Sequence, residues 1–331
     1  MIIVGVMPVY EEADWIEWAV EGIIDFVDEL VIAEGYQGPA WHFGTCRSQD
    51  GTINIIKRLA KKYDKITLTE CQSRRHVLRG KAATHNHVLK VSRLINRADW
   101  YMIFDADEFY SDKQKETILT TLQKTGKDAF SVNARCFFYN FEYFIKMDLT
   151  RFFRVTEGMY FMPGQYPFYA DGKQYFDEAN PYVLLLEDDP MFHYSFVKRP
   201  SSEIKRRIME YCAVQRHRYV FDWINQVYLQ WSPEKSEEIY DFNRIRFNGK
   251  GGIFLDEDYQ AYRLQIYDGE HPNIIKNHPF RYINDVRKIE KLEQDIFKYV
   301  KTRHHVAHYM MRYLQKLSST IRFLLKNNDV R

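Results

Sequence analysis

The sequence predicts an α/β protein with an open, mainly parallel sheet, helices on both faces, and a helical C-terminal extension. Three observations carry this expectation. Short β-branched and aromatic runs alternate with segments of helical period through the first 128 residues. Acidic residues follow three of those runs, at positions 11–12, 34 and 105–108. Residues 281–331 keep apolar side chains at helical spacing on a basic background.

The elements follow in order. Ile2 to Val6 is a β-branched run ending at Pro8, and Trp15, Ile16, Ala19, Val20, Ile23 and Ile24 then recur at helical spacing. Leu30 to Ala33 is a second buried strand. Ser48-x-Asp50-Gly51-Thr52 precedes Ile53, Ile55, Ile56, Leu59 and Ala60, a second helix that Ser48 or Asp50 can cap. Ile66 to Leu68 is a third strand, His85 to Leu94 a helix, and Trp100 to Phe104 a fourth strand running into Asp105-Ala106-Asp107-Glu108. In open sheets of this kind ligands sit beyond the C-terminal ends of the strands, so Tyr10 to Glu12, Glu34 and Asp105 to Glu108 converge on one crevice. Past residue 128 come strands and aromatic loops (Phe130 to Phe144, Arg151 to Phe161, Tyr182 to Leu186, Phe192 to Val197), then a helical pattern from Ser201 to Arg218.

Composition narrows the function. Forty-seven Lys and Arg against 45 Asp and Glu leave a formal charge of +2, too little to hold a polyanion by charge alone, so stable nucleic-acid binding is not expected. Cys46, Cys71, Cys136 and Cys212 form no C-x-x-C pair and read as reduced thiols. With no signal-like N-terminus and no apolar run of spanning length, the expectation is a cytoplasmic protein. Neither a phosphate-binding P-loop nor a G-x-G-x-x-G after a strand occurs. Residues 281–331 carry a formal charge of +7, while the preceding 280 sum to −5. That basic amphipathic tail is read as a helix packed on the body, or as a peripheral contact with an anionic membrane, an RNA or a partner helix.

Asp105-Ala106-Asp107 is the central chemical clue. Two carboxylates one residue apart at a strand end can share a hard divalent cation, and Mg²⁺ or Mn²⁺ takes oxygen ligands together with a diphosphate. Asp256-Glu257-Asp258 has the same spacing but follows no strand, so it is read as a solvated loop.

The ordered series Pro8-Val9-Tyr10-Glu11-Glu12, Glu34, Ser48-x-Asp50-Gly51-Thr52 and Phe104-Asp105-Ala106-Asp107-Glu108-Phe109 resembles the family-2-like glycosyltransferases of the GT-A fold. The resemblance continues more thinly through Met191 to Lys198 and Ile204-Lys205-Arg206. It implies a catalytic domain over 1–207, with a nucleotide-binding half at 1–128 and an acceptor half at 129–207, followed by a mostly helical extension at 208–331. It further implies that Pro8, Val9, Tyr10 and Glu12 contact the nucleoside and that Glu34 takes the place of the acidic residue meeting base or ribose. Asp50 falls in the nucleotide set, and Arg79 and Lys81, ahead of the family's Asn (here Asn86), lie against the nucleotide. Asp105 and Ala106 would face the ribose, Asp105 and Asp107 would bind Mn²⁺ or Mg²⁺, and His193 would be a late metal or phosphate contact. The chain departs from the family in having Glu11-Glu12 for Asn-Glu and Glu34 for Asp. It also carries an insertion from Tyr36 to Arg47 with Trp41, His42 and Phe43, a flap or a packed loop.

The catalytic base is sought among carboxylates ahead of His193. Where relatives carry a His-Glu pair after a Gly, this chain has Gly164-Gln165-Tyr166-Pro167. Asp177, Glu178, Glu187, Asp188 and Asp189 remain, of which Glu178 and then Asp188 are favoured. The expectation is a metal-dependent hexosyltransferase-type enzyme that moves a sugar with inversion from a nucleoside diphosphate donor, a UDP-sugar first, to a glycan or other hydroxyl acceptor. The alternatives are a non-catalytic nucleotide-sugar or glycan-binding protein and a sugar-nucleotide nucleotidyltransferase. Asp107 is expected to be an exposed cleft carboxylate whose loss leaves stability intact.

Overall fold

The computed structural model describes residues 1–38, 45–74, 77–162, 168–170, 173–174, 183–184, 190–204, 223–239 and 264–289. One compact unit runs over Met1–Ala40 and Thr45–Glu290. A second grouping, Trp41–Gly44 with Lys291–Arg331, lies outside the described residues, as do most of the basic tail and Asp256 to Asp258.

The first half alternates as its sequence pattern dictates. Strand β1 (Ile3–Val9) is followed by α1 (Ile16–Ile23), β2 (Glu29–Glu34), α2 (Thr52–Lys62), β3 (Ile66–Glu70), α3 (Val77–Val91) and β4 (Trp100–Ile103). Strand β1 pairs in parallel with both β2 and β4, and β2 with β3, so β1 lies inside a parallel β3-β2-β1-β4 set. With a strand on either edge and α3 packed against one face, nearly the whole run is apolar and buried. Val4, Val6, Val31, Ala33, Tyr101 and Ile103 point to one face and pack on Ala82 and Val88 of α3. Helices α1 and α2 pack on each other, α1 burying Ile16, Ala19, Val20 and Ile23.

Helix α3 begins at Val77, well before the His85 expected, and ends at Val91 rather than Leu94. The sequence hid its first turns because Arg79, Gly80 and Lys81 interrupt the apolar count, although Val77, Lys81 and His85 still fall on one stripe. At the other end Glu29 is fully buried. It accepts hydrogen bonds from the N–H groups of Arg93 and Leu94 and from the hydroxyls of Ser92 and Thr67. Burial alone would raise its carboxyl; those donors outweigh it and hold the group below the usual range.

The second half is threaded differently. After β5 (Glu108–Phe109) and α4 (Asp112–Lys124), capped by the Ser111 hydroxyl, come β6 (Ala129–Phe138) and β7 (Tyr143–Arg154). A short turn joins β6 to β7, so they must pair antiparallel, and β7 inserts between β4 and β6. The expected division near residue 128 is therefore one along the chain, since the sheet continues across it. Strands β8 (Tyr160–Phe161), β9 (Phe168–Ala170) and β10 (Lys173–Gln174) make a small separate sheet, and β11 (Val183–Leu184) adds to β6. Strand β12 (Met191–Phe196) runs parallel to β6 and antiparallel to β5, and β13 (Gln265–Ile266) adds to β7.

Residues 264–289 bind back to this unit. The Trp15 ring is stacked on His278 at 3.9 Å and on Tyr194 at 4.9 Å, Val286 N–H donates to the Tyr139 carbonyl, and Arg287 lies over the Tyr139 ring. Among the described residues no helix is long and apolar enough to cross a membrane, and Cys46, Cys71 and Cys136 are free thiols.

Candidate functional site

A crevice opens at the C-terminal ends of β1 and β4. It is lined by Pro8, Val9, Tyr10 and Glu12 after β1, by Gly35, Tyr36 and Gln37 after β2, by Val77, Lys81 and His85 of α3, and by Ile103, Asp105, Ala106 and Asp107 at the end of β4. Its position is the one the strand order dictates for an open α/β sheet.

The wall after β1 is built by the Ser48 to Thr52 segment. Glu11 N–H donates to Ser48 Oγ (2.9 Å), Glu12 N–H to Thr52 Oγ1 (2.9 Å) and Ala13 N–H to Asp50 Oδ2 (3.0 Å). Asp50 Oδ1 also accepts from the Thr52 N–H and hydroxyl, while Gly51 takes a left-handed φ of 99° at the start of α2. Glu34 is 3% exposed and spends Oε1 on the Ser48 N–H (2.8 Å). Glu34 and Asp50, expected against the nucleotide, thus stand behind the crevice as staples of the loop that lines it. Neither is among the crevice-lining residues, whereas Tyr10, Tyr36 and Gln37 are, the two tyrosine rings lying 5.2 Å apart.

Helix α3 presents Lys81 to the crevice and Arg79 to solvent, because two residues along a helix is roughly half a turn. His85, one turn beyond Lys81, is held by the Tyr101 hydroxyl (2.7 Å) and stacked on Phe161 (4.5 Å). Burial pushes its imidazole down to about 3, so it is neutral at physiological pH. Asn86 donates to the Phe161 carbonyl (2.9 Å) and accepts its N–H (2.7 Å), clamping β8 on α3.

The acidic turn holds two kinds of carboxylate. The Asp105 side chain is 40% exposed, with Oδ2 3.0 Å from an Arg151 nitrogen. Glu108 is fully buried, accepts the Asp105 N–H (3.2 Å) and receives the Arg151 guanidinium on both oxygens. Burial pushes Glu108 up to about 7 against the opposing pull of Arg151. Arg151 is therefore a buried strut from β7. Arg154, its sequence neighbour, pairs with Asp128 (3.3 Å) over the Trp100 ring (4.5 Å), away from the crevice lining.

Asp107 departs from expectation. Its side chain is 2% exposed, with Oδ1 3.2 Å from His193 Nε2 and Oδ2 2.7 Å from Lys198 Nζ. The cause is strand pairing: β12 lies against β5 with His193 opposite Glu108, and Tyr194 N–H donates to the Asp107 carbonyl (2.8 Å). Burial would push the His193 imidazole down, but the Asp107 carboxylate and then the Cys136 thiol carry it well above its ordinary value. Lys198 also binds the Glu12 carboxylate.

The donor set suits a hard divalent ion. Asp105, Glu108 and His193 each offer a ligand atom, and these atoms lie within 4.8 Å of one another. Around them four carboxylates (Glu12, Asp105, Asp107, Glu108) meet three basic side chains (Arg151, His193, Lys198). Glu178 and Asp188, the expected bases, lie outside the described residues, together with Asp177, Glu187 and Asp189. The sequence placed Glu108 in the crevice and Tyr36 and Gln37 in an insertion read as a flap or a packed loop, but it did not single out Gly35, Val77 or His85 for the crevice or give Lys198 a role of its own. The i, i+4, i+8 spacing of Val77, Lys81 and His85 is the signal for the helix side of this set.

A comparison with curated proteins finds no match. Among solved structures, S. aureus TarS aligns over 71% of this chain and 45% of that chain, at 12% identity and a TM-score of 0.38. The chain thus spans less than half of that protein. S. aureus TarS 1-349 in complex with UDP aligns over 76% of each chain, at 11% identity and a TM-score of 0.38. The complex of TarS 1-349 with UDP-GlcNAc aligns over 76% of this chain and 77% of that one, at 12% identity and a TM-score of 0.36. The family model for glycosyl transferase family 2 matches residues 45–182, from the loop staple through α3, the acidic turn and the β6–β7 pair. Over that segment the chain is similar to glycosyl transferase family 2.

Proposed function

We propose that the protein is a nucleotide-sugar-dependent glycosyltransferase whose crevice takes a nucleoside diphosphate sugar, a UDP-sugar first. The observation that carries this reading is the meeting, at the ends of adjacent parallel strands, of an aromatic-lined loop, the Lys81 ammonium and the exposed Asp105 carboxylate. Tyr10, Tyr36 and Gln37 offer faces and polar groups to a base and ribose, and Lys81 offers a cation to the diphosphate. Asp105 is held from behind by Arg151, whose guanidinium lies 3.0 Å from its Oδ2.

Asp105, Asp107 and His193 are the ligands proposed for Mn²⁺ or Mg²⁺; of these Asp105 and His193 fall, with Glu108, in the group whose ligand atoms lie within 4.8 Å of one another. A divalent ion there supplies positive charge facing the departing diphosphate. The acceptor hydroxyl needs a carboxylate to take its proton as the anomeric carbon is attacked, and Glu178, then Asp188, are the proposed bases. A single displacement of this kind inverts the anomeric centre. The acceptor is a glycan or another hydroxyl compound, and the basic tail and the extension at 208–331 favour an anionic one.

The test is release of nucleoside diphosphate from UDP-, GDP- and TDP-sugars by the full chain with Mn²⁺, followed by phosphate-coupled assay. One donor is expected to be hydrolysed slowly without acceptor, and Asp105→Asn to lower that rate by about 100-fold or more. Tight binding of a nucleotide sugar with no turnover of any donor, whatever hydroxyl compound is added, would instead mark a binding protein.

A further inference from the structure

Lys198 is 2% exposed, and its ammonium stands between the Glu12 carboxylate and Asp107 Oδ2. Both carboxylates line the crevice, one from the loop after β1 and one from the turn after β4. The lysine backbone is fixed: Trp15 Nε1 donates to the Val197 carbonyl (2.8 Å), and Val197 N–H donates to the Tyr194 carbonyl (3.0 Å). A buried ammonium is costly unless paired, and here the pairing spends both partners on carboxylates that a divalent ion would otherwise use. Asp107 Oδ1 already faces His193, so both of its oxygens meet basic groups of the protein.

Resting on the nucleotide-sugar reading above, we propose that Lys198 is a resident counter-cation that competes with the divalent ion for Asp107. A metal ion alone meets an Asp105 with one oxygen on Arg151 and must share Asp107 with a fixed ammonium a few ångströms away, and like charges so close repel strongly at low dielectric. A nucleoside diphosphate brings its own oxygens and negative charge, which satisfy metal and ammonium together. Metal and nucleotide therefore enter cooperatively, and Lys198 is a positioning residue acting through Glu12 and Asp107.

The test is calorimetric titration of the full chain with Mn²⁺ alone, with UDP alone in chelator, and with UDP in saturating Mn²⁺, for wild type, Lys198→Met and Lys198→Arg. Lys198→Met is expected to bind Mn²⁺ alone about tenfold more tightly, to bind UDP in chelator about tenfold more weakly, and to lose most of the metal–nucleotide cooperativity. Lys198→Arg should keep the wild-type pattern. A folded Lys198→Met with unchanged or weaker Mn²⁺ affinity, beside a wild type that binds both ligands, overturns this proposal and leaves the nucleotide-sugar reading standing. Absence of Mn²⁺ and UDP binding in wild type overturns both. Should Lys198→Met not fold, ¹³Cε-lysine spectra of wild type settle the matter: the signal absent from Lys198→Arg should move when Mg²⁺ and UDP are added together and stay put with Mg²⁺ alone. Movement with Mg²⁺ alone to the same end point overturns it.

Discussion

Glu11 holds a left-handed backbone angle (φ 57°) directly beside the crevice, where most side chains are strained. The family's usual Asn suits that conformation, and Glu11 accommodates it by accepting the Gln49 N–H on Oε1 (2.8 Å). Across the staple, Gly51 sits at φ 99° with nothing within 4 Å of where a Cβ would lie, so its constraint is purely conformational. Gly51→Ala is therefore expected to lower unfolding stability by about 1–2 kcal/mol, whereas Gly126→Ala, equally open and without a positive φ, should be neutral or stabilising by up to about 1 kcal/mol. Urea unfolding of the two variants checks this, and equal losses would refute the strain argument. At this scale the sequence was a partial guide. Asp105 could be located because it follows a buried strand, but nothing local reveals that Asp107 is buried or that Asp50 and Glu34 are staples. Those roles depend on partners far along the chain, Lys198 being 186 residues from Glu12.

Among the elements, α3 decides the shape of the crevice. Gly80 lies so close to the loop after β2 that a Cβ there would overlap the Gln37 carbonyl oxygen and sit 2.6 Å from its carbon. Gly35, Tyr36 and Gln37 line the crevice opposite Val77, Lys81 and His85, so that near-contact sets the gap a base would enter. Gly80→Ala is expected to cost about 1–3 kcal/mol by overpacking and to weaken UDP binding by about tenfold or more. Unchanged UDP affinity in the variant would show that the loop is not part of the donor site. Alternation of period made β1 to β4 legible in the sequence, whereas the true start of α3 was masked by polar residues that face the crevice instead of the core. The order β4-β7-β6-β12-β5 was not legible either, since it rests on long-range pairing.

The whole molecule carries a pH signature. Burial pushes His85 down to about 3 and His271 and His278 down to about 4. His85 faces the Tyr101 hydroxyl, Asp105, Lys81 and Arg151; His271 faces the Tyr194 hydroxyl, Arg281 and Arg135; His278 meets the Asp14 carbonyl. Because these folded values lie below the ordinary 6.5, the unfolded chain takes up more protons as pH falls, and the stability they contribute above 6.5 is lost toward pH 4. Glu108, raised to about 7, works the other way, favouring the folded state as pH falls between 7 and 4.5. Among the described residues the three histidines take up protons on unfolding near pH 5.5, and Glu108, with His193 and Asp14 also held above their ordinary values, offsets only part of that uptake. The Tm is expected to fall from pH 6.5 to 5, less steeply in His278→Phe; a Tm that rises over that range would refute the assignment of neutral buried imidazoles.

The central claim is that the crevice at the ends of β1 and β4 is a nucleoside diphosphate site organised by Asp105. The most direct measurement is calorimetric titration of UDP with Mn²⁺ into wild type and Asp105→Asn. One saturable site per chain is expected in wild type, weakened by about 100-fold in the variant at unchanged Tm. Equal UDP affinity in the two proteins would contradict it.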